Sequence, residues 1–126
     1  YKFETHIERG LYTEADRVKI GQVIYNLVGN AVNYTGEDKR VIVTLRRENG
    51  EILLSVKDTG AGVNPEELHD IWNRYYRSKE AHKRPVKGSG LGLSIVKTVL
   101  EKHEFRYGVR SEAGKGCEFY VLFPLL

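Results

Sequence analysis

The segment from Arg17 to Asn33 constrains the fold more than any other, because it carries two opposed stripes at helical spacing. The apolar stripe consists of Ile20, Ile24, Leu27, Val28 and Ala31. The polar stripe consists of Lys19, Gln22, Asn26, Asn30 and Asn33. Asp16 is placed to cap this helix, and Thr35 and Gly36 are placed to end it. A helix with one apolar side must bury it against a second layer, so the segment predicts a layered fold.

Short runs of alternating apolar and polar residues predict that the second layer is a sheet. The predicted strands are 2–8, 41–47, 51–57, 106–110 and 118–123. Strands 41–47 and 51–57 are joined by Glu48, Asn49 and Gly50, which indicates a hairpin. Helices are predicted over 65–74, where Pro65 opens the first turn, and over 91–102. The resulting order predicts an α/β sandwich with three helices on one face of a mixed sheet.

Length and composition exclude several classes of protein. A chain of 126 residues with 40% hydrophobic and 29% charged residues is typical of one soluble globular domain, here residues 1–126. It contains no apolar run of the roughly 18 residues that a membrane-spanning helix needs. Cys117 is the single cysteine, so an internal disulfide is excluded and the chain suits the cytosol. The absence of methionine and of a signal-peptide pattern predicts a piece of a longer protein.

Positive charge is concentrated between Arg74 and Lys87, where six basic residues accompany one acidic residue. The whole chain carries a formal charge of only +3, so the remainder is slightly acidic. A nucleic-acid interface needs a basic face spread over the fold, whereas one short basic stretch favours a compact anion such as a phosphate chain. A solvated basic loop is the alternative interpretation.

Glycine clusters adjoin the predicted strands and helices at three places, namely Gly60 and Gly62, then Gly88, Gly90 and Gly92, then Gly114 and Gly116. Asp58 follows a strand and is itself followed by Gly60 and Gly62. A carboxylate at this place can accept a hydrogen bond from the exocyclic amine of adenine, while the glycines let the backbone approach the ring. The sequence GSGLGL at 88–93 opens a helix, whose free N–H groups and positive dipole attract phosphate. No lysine follows these glycines as in a Walker A loop. Each cluster taken alone also fits an ordinary turn.

Three asparagines on one helix face indicate a ligand site, because a merely solvated stripe is usually made of better helix formers such as Lys and Glu. The amide oxygen is a hard neutral ligand, and Mg²⁺ bound to a nucleotide takes only one or two protein oxygens. Asn30 lies mid-helix and is the candidate ligand. Amides bonded to neighbouring loops are the alternative.

Five motifs in order resemble the N, G1, F, G2 and G3 boxes of bacterial sensor histidine kinases. They are NLVGNAVNYT (26–35), DTGAGV (58–63), IWNRYYR (71–77), GSGLGLSIV (88–96) and GKGCEF (114–119). The resemblance covers nearly the whole chain and implies the catalytic, ATP-binding domain with the Bergerat fold. That fold is an α/β (α+β) two-layer sandwich, with a mixed, mainly antiparallel sheet of about five strands on three helices. It implies in addition a mobile ATP lid at about residues 74–92.

The resemblance implies ATP and Mg²⁺ as ligands and assigns residues to them. Asn30 matches the magnesium ligand and Asp58 the adenine contact, while Arg77 is placed to reach the terminal phosphate. The residues expected to act in catalysis are Asn26, Asn30 and Arg77. The other expected nucleotide contacts are Asn33, Tyr34, Gly60, Gly62, Gly88, Ser89, Gly90, Leu91, Gly92 and Leu93.

The chain departs from the family pattern at three places. Asn33 stands where the family often has lysine, and Cys117 stands where the G3 box commonly has threonine. After His103 the chain reads Glu104, Phe105 and Arg106 where the family often has glycines.

One substitution bears on mechanism. Related ATPases such as DNA gyrase carry a glutamate four residues before the magnesium-binding asparagine, and that position here is Asn26. An amide cannot take a proton from water, so slow hydrolysis and transfer to a protein histidine are expected. None of the four histidines lies in a match to the family's phosphoacceptor box.

The phosphoacceptor is therefore expected on a separate dimerisation domain, with a response regulator as the next partner. We expect this domain alone to be a monomer, its parent to be a homodimer, and nucleic acid not to be a partner. The expected location is cytoplasmic, in a parent protein that is either free or anchored in the cell membrane. The alternative functions are a non-catalytic nucleotide-binding regulator of the same fold and, less favoured by the charge distribution, a basic nucleic-acid module.

Overall fold

The computed structural model describes residues 2–34, 40–60, 62, 70–72, 92–112 and 115–125. Five strands and two α-helices occur in these ranges, with one short 3₁₀ turn. In chain order they are β1 (Lys2–Ile7), α1 (Arg17–Tyr34), β2 (Arg40–Glu48), β3 (Glu51–Asp58), the 3₁₀ turn (Asp70–Trp72), α2 (Gly92–Lys102), β4 (Arg106–Glu112) and β5 (Gly116–Pro124).

The strands form one mixed sheet in the order β1-β2-β3-β5-β4. β1 pairs with β2 in parallel, because α1 carries the chain back across the sheet between them. The other three pairs are antiparallel. The prediction of a mixed, mainly antiparallel sheet of about five strands is therefore confirmed.

The hairpin between β2 and β3 has a two-residue turn. Asn49 and Gly50 both have positive φ, 50° and 79°, as a type I′ turn requires. Glu48 pairs with Glu51 and therefore belongs to β2, whereas the prediction placed Glu48 in the turn. β2 thus ends one residue later than predicted.

The core lies between one face of the sheet and the two helices. Alternate residues of β3 and β5 point into this core. Val56 pairs with Phe119 across the two strands, and Leu54 pairs with Val121. The buried helix residues are Val23, Leu27, Ala31, Val96, Val99 and Leu100. Burial of these side chains stabilises the two layers against each other by roughly 1.5–3 kcal/mol for each large aliphatic residue.

The buried stripe of α1 differs from the predicted one. Val23 is fully buried, whereas Ile24 is 39% exposed, so the assignment of Ile24 to the core face was wrong. The apolar surface of α1 is wider than its contact with the sheet. The stripe that packs runs through Val23, Leu27 and Ala31, four residues apart, and Ile24 lies about 100° around the helix from Val23.

The start of α1 is capped as expected. The Asp16 carboxylate accepts a hydrogen bond from the Lys19 N–H at 3.1 Å. The Asp16 N–H in turn donates to His103 Nε2 at 3.0 Å, and His103 Nδ1 lies 2.9 Å from the Val99 carbonyl oxygen. This histidine therefore ties the start of α1 to the end of α2.

The end of α2 is a Schellman motif without a glycine. The Glu104 N–H donates to Glu101 O, and the Phe105 N–H donates to Leu100 O. Glu104 occupies the left-handed position with φ of 59°, where glycine is the usual residue. The departure from the family pattern at this position is therefore accommodated with a strained backbone.

Of the predicted 65–74 helix, only 70–72 are described, and they form a 3₁₀ turn instead of an α-helical one. Ile71 is buried, and the Trp72 ring meets the Tyr107 and Phe119 rings edge to face, with centroids 5.0 and 5.4 Å apart. The remainder of that segment lies outside the described residues. Neither described α-helix combines the length and apolar character needed to cross a membrane.

Candidate nucleotide-binding site

The candidate site residues fall into two groups, one at the helices and one where β3 ends and β5 begins. We call Asn26, Asn30, Asn33 and Gly92 the helix wall. We call Asp58, Gly60, Gly116 and Cys117 the sheet wall.

The helix wall brings the polar stripe of α1 to the first residue of α2. Asn26, Asn30 and Asn33 are each half-buried on α1. A Cβ atom built on Gly92 would lie 3.5 Å from the Asn26 Oδ1 atom, so the two helices are close at this point. The free N–H groups and positive dipole at the start of α2 thus lie beside amide side chains, which suits an anionic ligand.

The sheet wall holds a buried carboxylate at the end of β3. Asp58 is only 2% exposed, and its Oδ1 atom accepts a hydrogen bond from the Gly60 N–H at 2.9 Å. A buried carboxylate is costly unless hydrogen-bond donors surround it. The bond to Gly60 holds the carboxylate in one orientation, in which it is suited to accept a bond from an amine such as that of adenine.

Gly116 was not among the predicted site residues, yet it shapes the sheet wall. Its φ is +99°, and a Cβ atom there would lie 2.0 Å from the Asp58 carbonyl oxygen. Both conditions require glycine. The sequence signal was the GKG pair in the motif at 114–119, but its contact with Asp58 depends on the register between β3 and β5.

Cys117 is buried beside Asp58. Desolvation, with a smaller contribution from the negative charge of Asp58, raises the pKa of this thiol to about 12. The thiol is therefore protonated at neutral pH and is a poor nucleophile. The departure from the threonine common in the family therefore lies in the sheet wall, next to Asp58.

The glycines after Asp58 have distinct roles. Gly60 is buried and donates to the Asp58 carboxylate. Gly62 has φ of 81°, a conformation that other residues rarely adopt. At the start of α2, Leu93 is half-buried and packs against the core.

Several predicted contacts lie outside the described residues. They are Arg77, Gly88, Ser89, Gly90 and Leu91, together with the rest of the predicted lid up to Gly92. Tyr34 is the last residue of α1, and its side chain lies outside the described part of the structure.

The residues of the two walls fit a magnesium nucleotide. The helix wall offers neutral amide oxygens, including Asn30, which are hard donors of the kind Mg²⁺ accepts. The sheet wall offers a single carboxylate, which the hydrogen bond from the Gly60 N–H orients.

Comparison with known proteins identifies the family of the chain. The family described as histidine kinase-, DNA gyrase B- and HSP90-like ATPases matches residues 15–126. The chain therefore belongs to this ATPase family, and its relatives within the family are sensor kinases.

Among curated proteins, the sensor protein SrrB of Staphylococcus aureus is 38% identical over 109 residues, which is 86% of this chain and 19% of SrrB. The chain thus spans about a fifth of the length of the curated relatives it matches.

Among solved structures, the mycobacterial sensor histidine kinase MprB aligns with a TM-score of 0.84 at 29% identity, over 98% of this chain and 81% of that one. Full-length ShkA in complex with AMPPNP aligns with a TM-score of 0.79 at 28% identity, over 98% of this chain and 25% of that one. The nucleotide-free catalytic domain of histidine kinase ThkA aligns with a TM-score of 0.80 at 28% identity, over 98% of this chain and 79% of that one. Fold and family together define an ATP-binding catalytic domain of the sensor histidine kinase type.

Proposed function

We propose that this domain binds Mg-ATP and positions its γ-phosphoryl group for transfer to a histidine on a separate dimerisation domain. A response regulator would then receive the phosphoryl group. The observation that carries the proposal is the contact between Asn26 and Gly92, which sets amide side chains beside the start of α2. The buried Asp58 at the end of β3 supplies the second recognition element.

Asp58 recognises the base in this proposal. Its carboxylate accepts a hydrogen bond from the exocyclic amine of adenine, while Gly60 and Gly62 let the backbone approach the ring. Guanine presents a carbonyl oxygen at the corresponding edge and would meet the carboxylate with repulsion. Selectivity for ATP over GTP follows.

Asn30 provides the protein ligand to magnesium through its amide oxygen. The metal supplies charge neutralisation on the phosphate oxygens when it is bound. The N-terminus of α2 adds a positive dipole from the protein, and Asn26 lies directly against it. The remaining contacts proposed for the nucleotide are Asn33, Tyr34, Arg77, Gly88, Ser89, Gly90, Leu91, Gly92 and Leu93.

Transfer to histidine is proposed over hydrolysis because Asn26 cannot act as a general base. Its amide accepts no proton from an attacking water at neutral pH. The site would therefore bind and orient ATP while leaving the γ-phosphoryl for a better nucleophile brought by another domain. We propose a homodimeric parent protein and a cytoplasmic location for this domain.

Calorimetric titration with ATP and Mg²⁺ tests the binding step. We expect ATP to bind and GTP not to bind, with binding lost in Asp58→Ala and weakened by about tenfold to a hundredfold in Asn30→Ala. Gln22→Ala is the matched control, since it removes an exposed amide from the same helix. Equal binding of GTP, or unchanged binding by Asn30→Ala, would contradict the assigned roles.

The transfer step needs a supplied phosphoacceptor domain and ³²P-labelled ATP. We expect acid-labile label on the acceptor histidine, and almost no phosphate release from the domain alone. The departures from the family pattern at Asn33 and Cys117 favour one alternative, a nucleotide-binding regulator without catalysis. ATP binding without any labelled acceptor would support that alternative.

A further inference from the structure

The exposed large hydrophobic residues of the described chain all lie between residues 3 and 25. They are Phe3, Ile7, Tyr12, Val18, Ile24 and Tyr25. Phe3 and Ile7 are 53% and 59% exposed, and they alternate along β1 with the charged or polar Glu4 and His6. β1 thus has one apolar face at the edge of the sheet, where the core does not cover it.

The outer edge of β1 carries backbone groups without a strand partner among the described residues. The Glu8 N–H donates to Leu45 O at 2.8 Å, which directs the backbone groups of even-numbered residues towards β2. Successive residues of a strand direct these groups to opposite sides. Phe3, Thr5 and Ile7 therefore direct theirs outward.

We propose that β1 pairs antiparallel with β1 of a second copy of this chain, around a two-fold axis at Thr5. The Thr5 residues of the two copies would exchange both backbone hydrogen bonds. Phe3 of each copy would do the same with Ile7 of the other. The side chains of Phe3 and Ile7 would then pack together across the seam, on the face of the sheet that carries the helices.

The charges of β1 select this register. Pairing about Thr5 sets Lys2 opposite Glu8 of the second copy, and Glu4 opposite His6 of the second copy. Opposite charges facing each other across antiparallel strands are stabilising, and like charges are destabilising. All cross-strand pairs in this register are therefore compatible.

The neighbouring registers are not compatible. Only odd residues direct their backbone groups outward, so the register can change only in steps that keep odd residues opposite odd residues. One such step sets the two Glu4 side chains opposite each other, and the opposite step sets Glu4 opposite Glu8 of the second copy. Glu4 and Glu8 also form ion pairs with Arg40 and Arg47 of β2.

The two-fold axis makes the interface isologous and joins the two sheets into one of ten strands. A seam of one strand from each copy is smaller than a standard protein interface, so the association is weak. The proposal differs from the expectation, drawn from sequence alone, that the domain by itself is a monomer.

Sedimentation velocity of the 126-residue chain at rising concentration, up to the millimolar range, tests the proposal. We expect the sedimentation coefficient to move from the monomer towards the dimer value. Thr5→Pro removes the N–H at the two-fold axis and should keep the chain monomeric, with little change in unfolding midpoint. A wild-type chain that stays monomeric, or a dimer that Thr5→Pro leaves intact, would overturn the proposal.

A pair of charge reversals tests the register. Lys2→Glu and Glu8→Lys should each weaken association by about tenfold, because each sets like charges opposite each other at both ends of the seam. An equimolar mixture of the two variants should recover association, because every end then joins Glu to Lys. Lys97→Glu on α2 is the control and should associate as the wild type does. A mixture that associates no better than its components would contradict the register.

Discussion

The two walls of the nucleotide site are built in different ways. In the sheet wall, Asp58 is held by backbone: Gly116 packs against its carbonyl, and the Gly60 N–H bonds to its carboxylate. In the helix wall, half-buried amide side chains extend from an α1 that is already anchored by its apolar stripe. Change in the sheet wall should therefore damage fold and binding together, whereas change in the helix wall should damage binding alone.

The largest effect is expected for Gly116→Ala. The new Cβ atom would meet the Asp58 carbonyl oxygen, so we expect a loss of about 4 kcal/mol in the free energy of unfolding, with loss of ATP binding. Urea denaturation measures it. Gly50→Ala is the matched control, because Gly50 also has positive φ but open space around its Cβ position, and should cost about 1 kcal/mol. Equal losses in the two variants would remove the steric argument.

Asn30→Ala tests the opposite wall. We expect ATP affinity in the presence of Mg²⁺ to fall by about tenfold to a hundredfold, in line with the loss of a metal-site group. The free energy of unfolding should change by less than about 0.5 kcal/mol, since alanine is the better helix former and no core contact is removed. Calorimetry and urea denaturation of one sample give both quantities. A large loss of stability would place Asn30 in the structural framework instead.

The free energy of unfolding at alkaline pH should depend on the Cys117 thiol. Its pKa is raised from 9.0 to about 12 in the folded chain, so above about pH 9 only the unfolded chain loses the proton. Stability is therefore unaffected below about pH 9 and falls by about 1.4 kcal/mol per pH unit above it, until about pH 12. Cys117→Thr should lack this component of the slope.

Urea denaturation of both chains at about pH 8, 9.5 and 10.5 makes that measurement. The Tyr107 hydroxyl, whose pKa is also raised to about 12 by burial and by Glu101, contributes equally to both chains and cancels in the comparison. Parallel pH profiles would show that the thiol is not protected in the folded state.

Glu104→Gly should have the smallest effect and the opposite sign. Glu104 adopts a left-handed conformation at the end of α2, where glycine carries no strain, so we expect a gain of about 1 kcal/mol in stability. ATP affinity should not change, because this position belongs to neither wall. Lys97→Gly, in the middle of α2, is the matched control and should cost about 1 kcal/mol. Destabilisation by Glu104→Gly would mean that the interactions of the glutamate side chain stabilise the fold by more than the backbone strain destabilises it.

Local features of the chain were predicted well. The Asp16 cap, the Asn49-Gly50 turn and all five strands are confirmed to within a few residues at their ends. Each depends on residues close together in sequence, where spacing and turn chemistry act directly. The 3₁₀ turn at Asp70–Trp72 was missed, because an apolar stripe followed by aromatic residues does not distinguish it from an α-helix.

Within the candidate site, the motifs identified Asp58, Gly60 and Gly62 but not the part played by Gly116. The sequence places Gly116 in a turn, and nothing near it in the chain reveals the carbonyl that it contacts. The burial of Val23 in place of Ile24 was missed for a related reason. Both residues are apolar, and the position of the sheet decides which of them is covered.

The sequence by itself determined which segments become helix, strand and turn, and which chemical groups are available to a nucleotide. These depend on short-range backbone preferences and on the period of the apolar residues. Only the tertiary structure decided that Asn26 meets Gly92 and that Gly116 meets Asp58. Those contacts join residues more than fifty positions apart, so they depend on sheet register and helix packing, which local preferences do not encode.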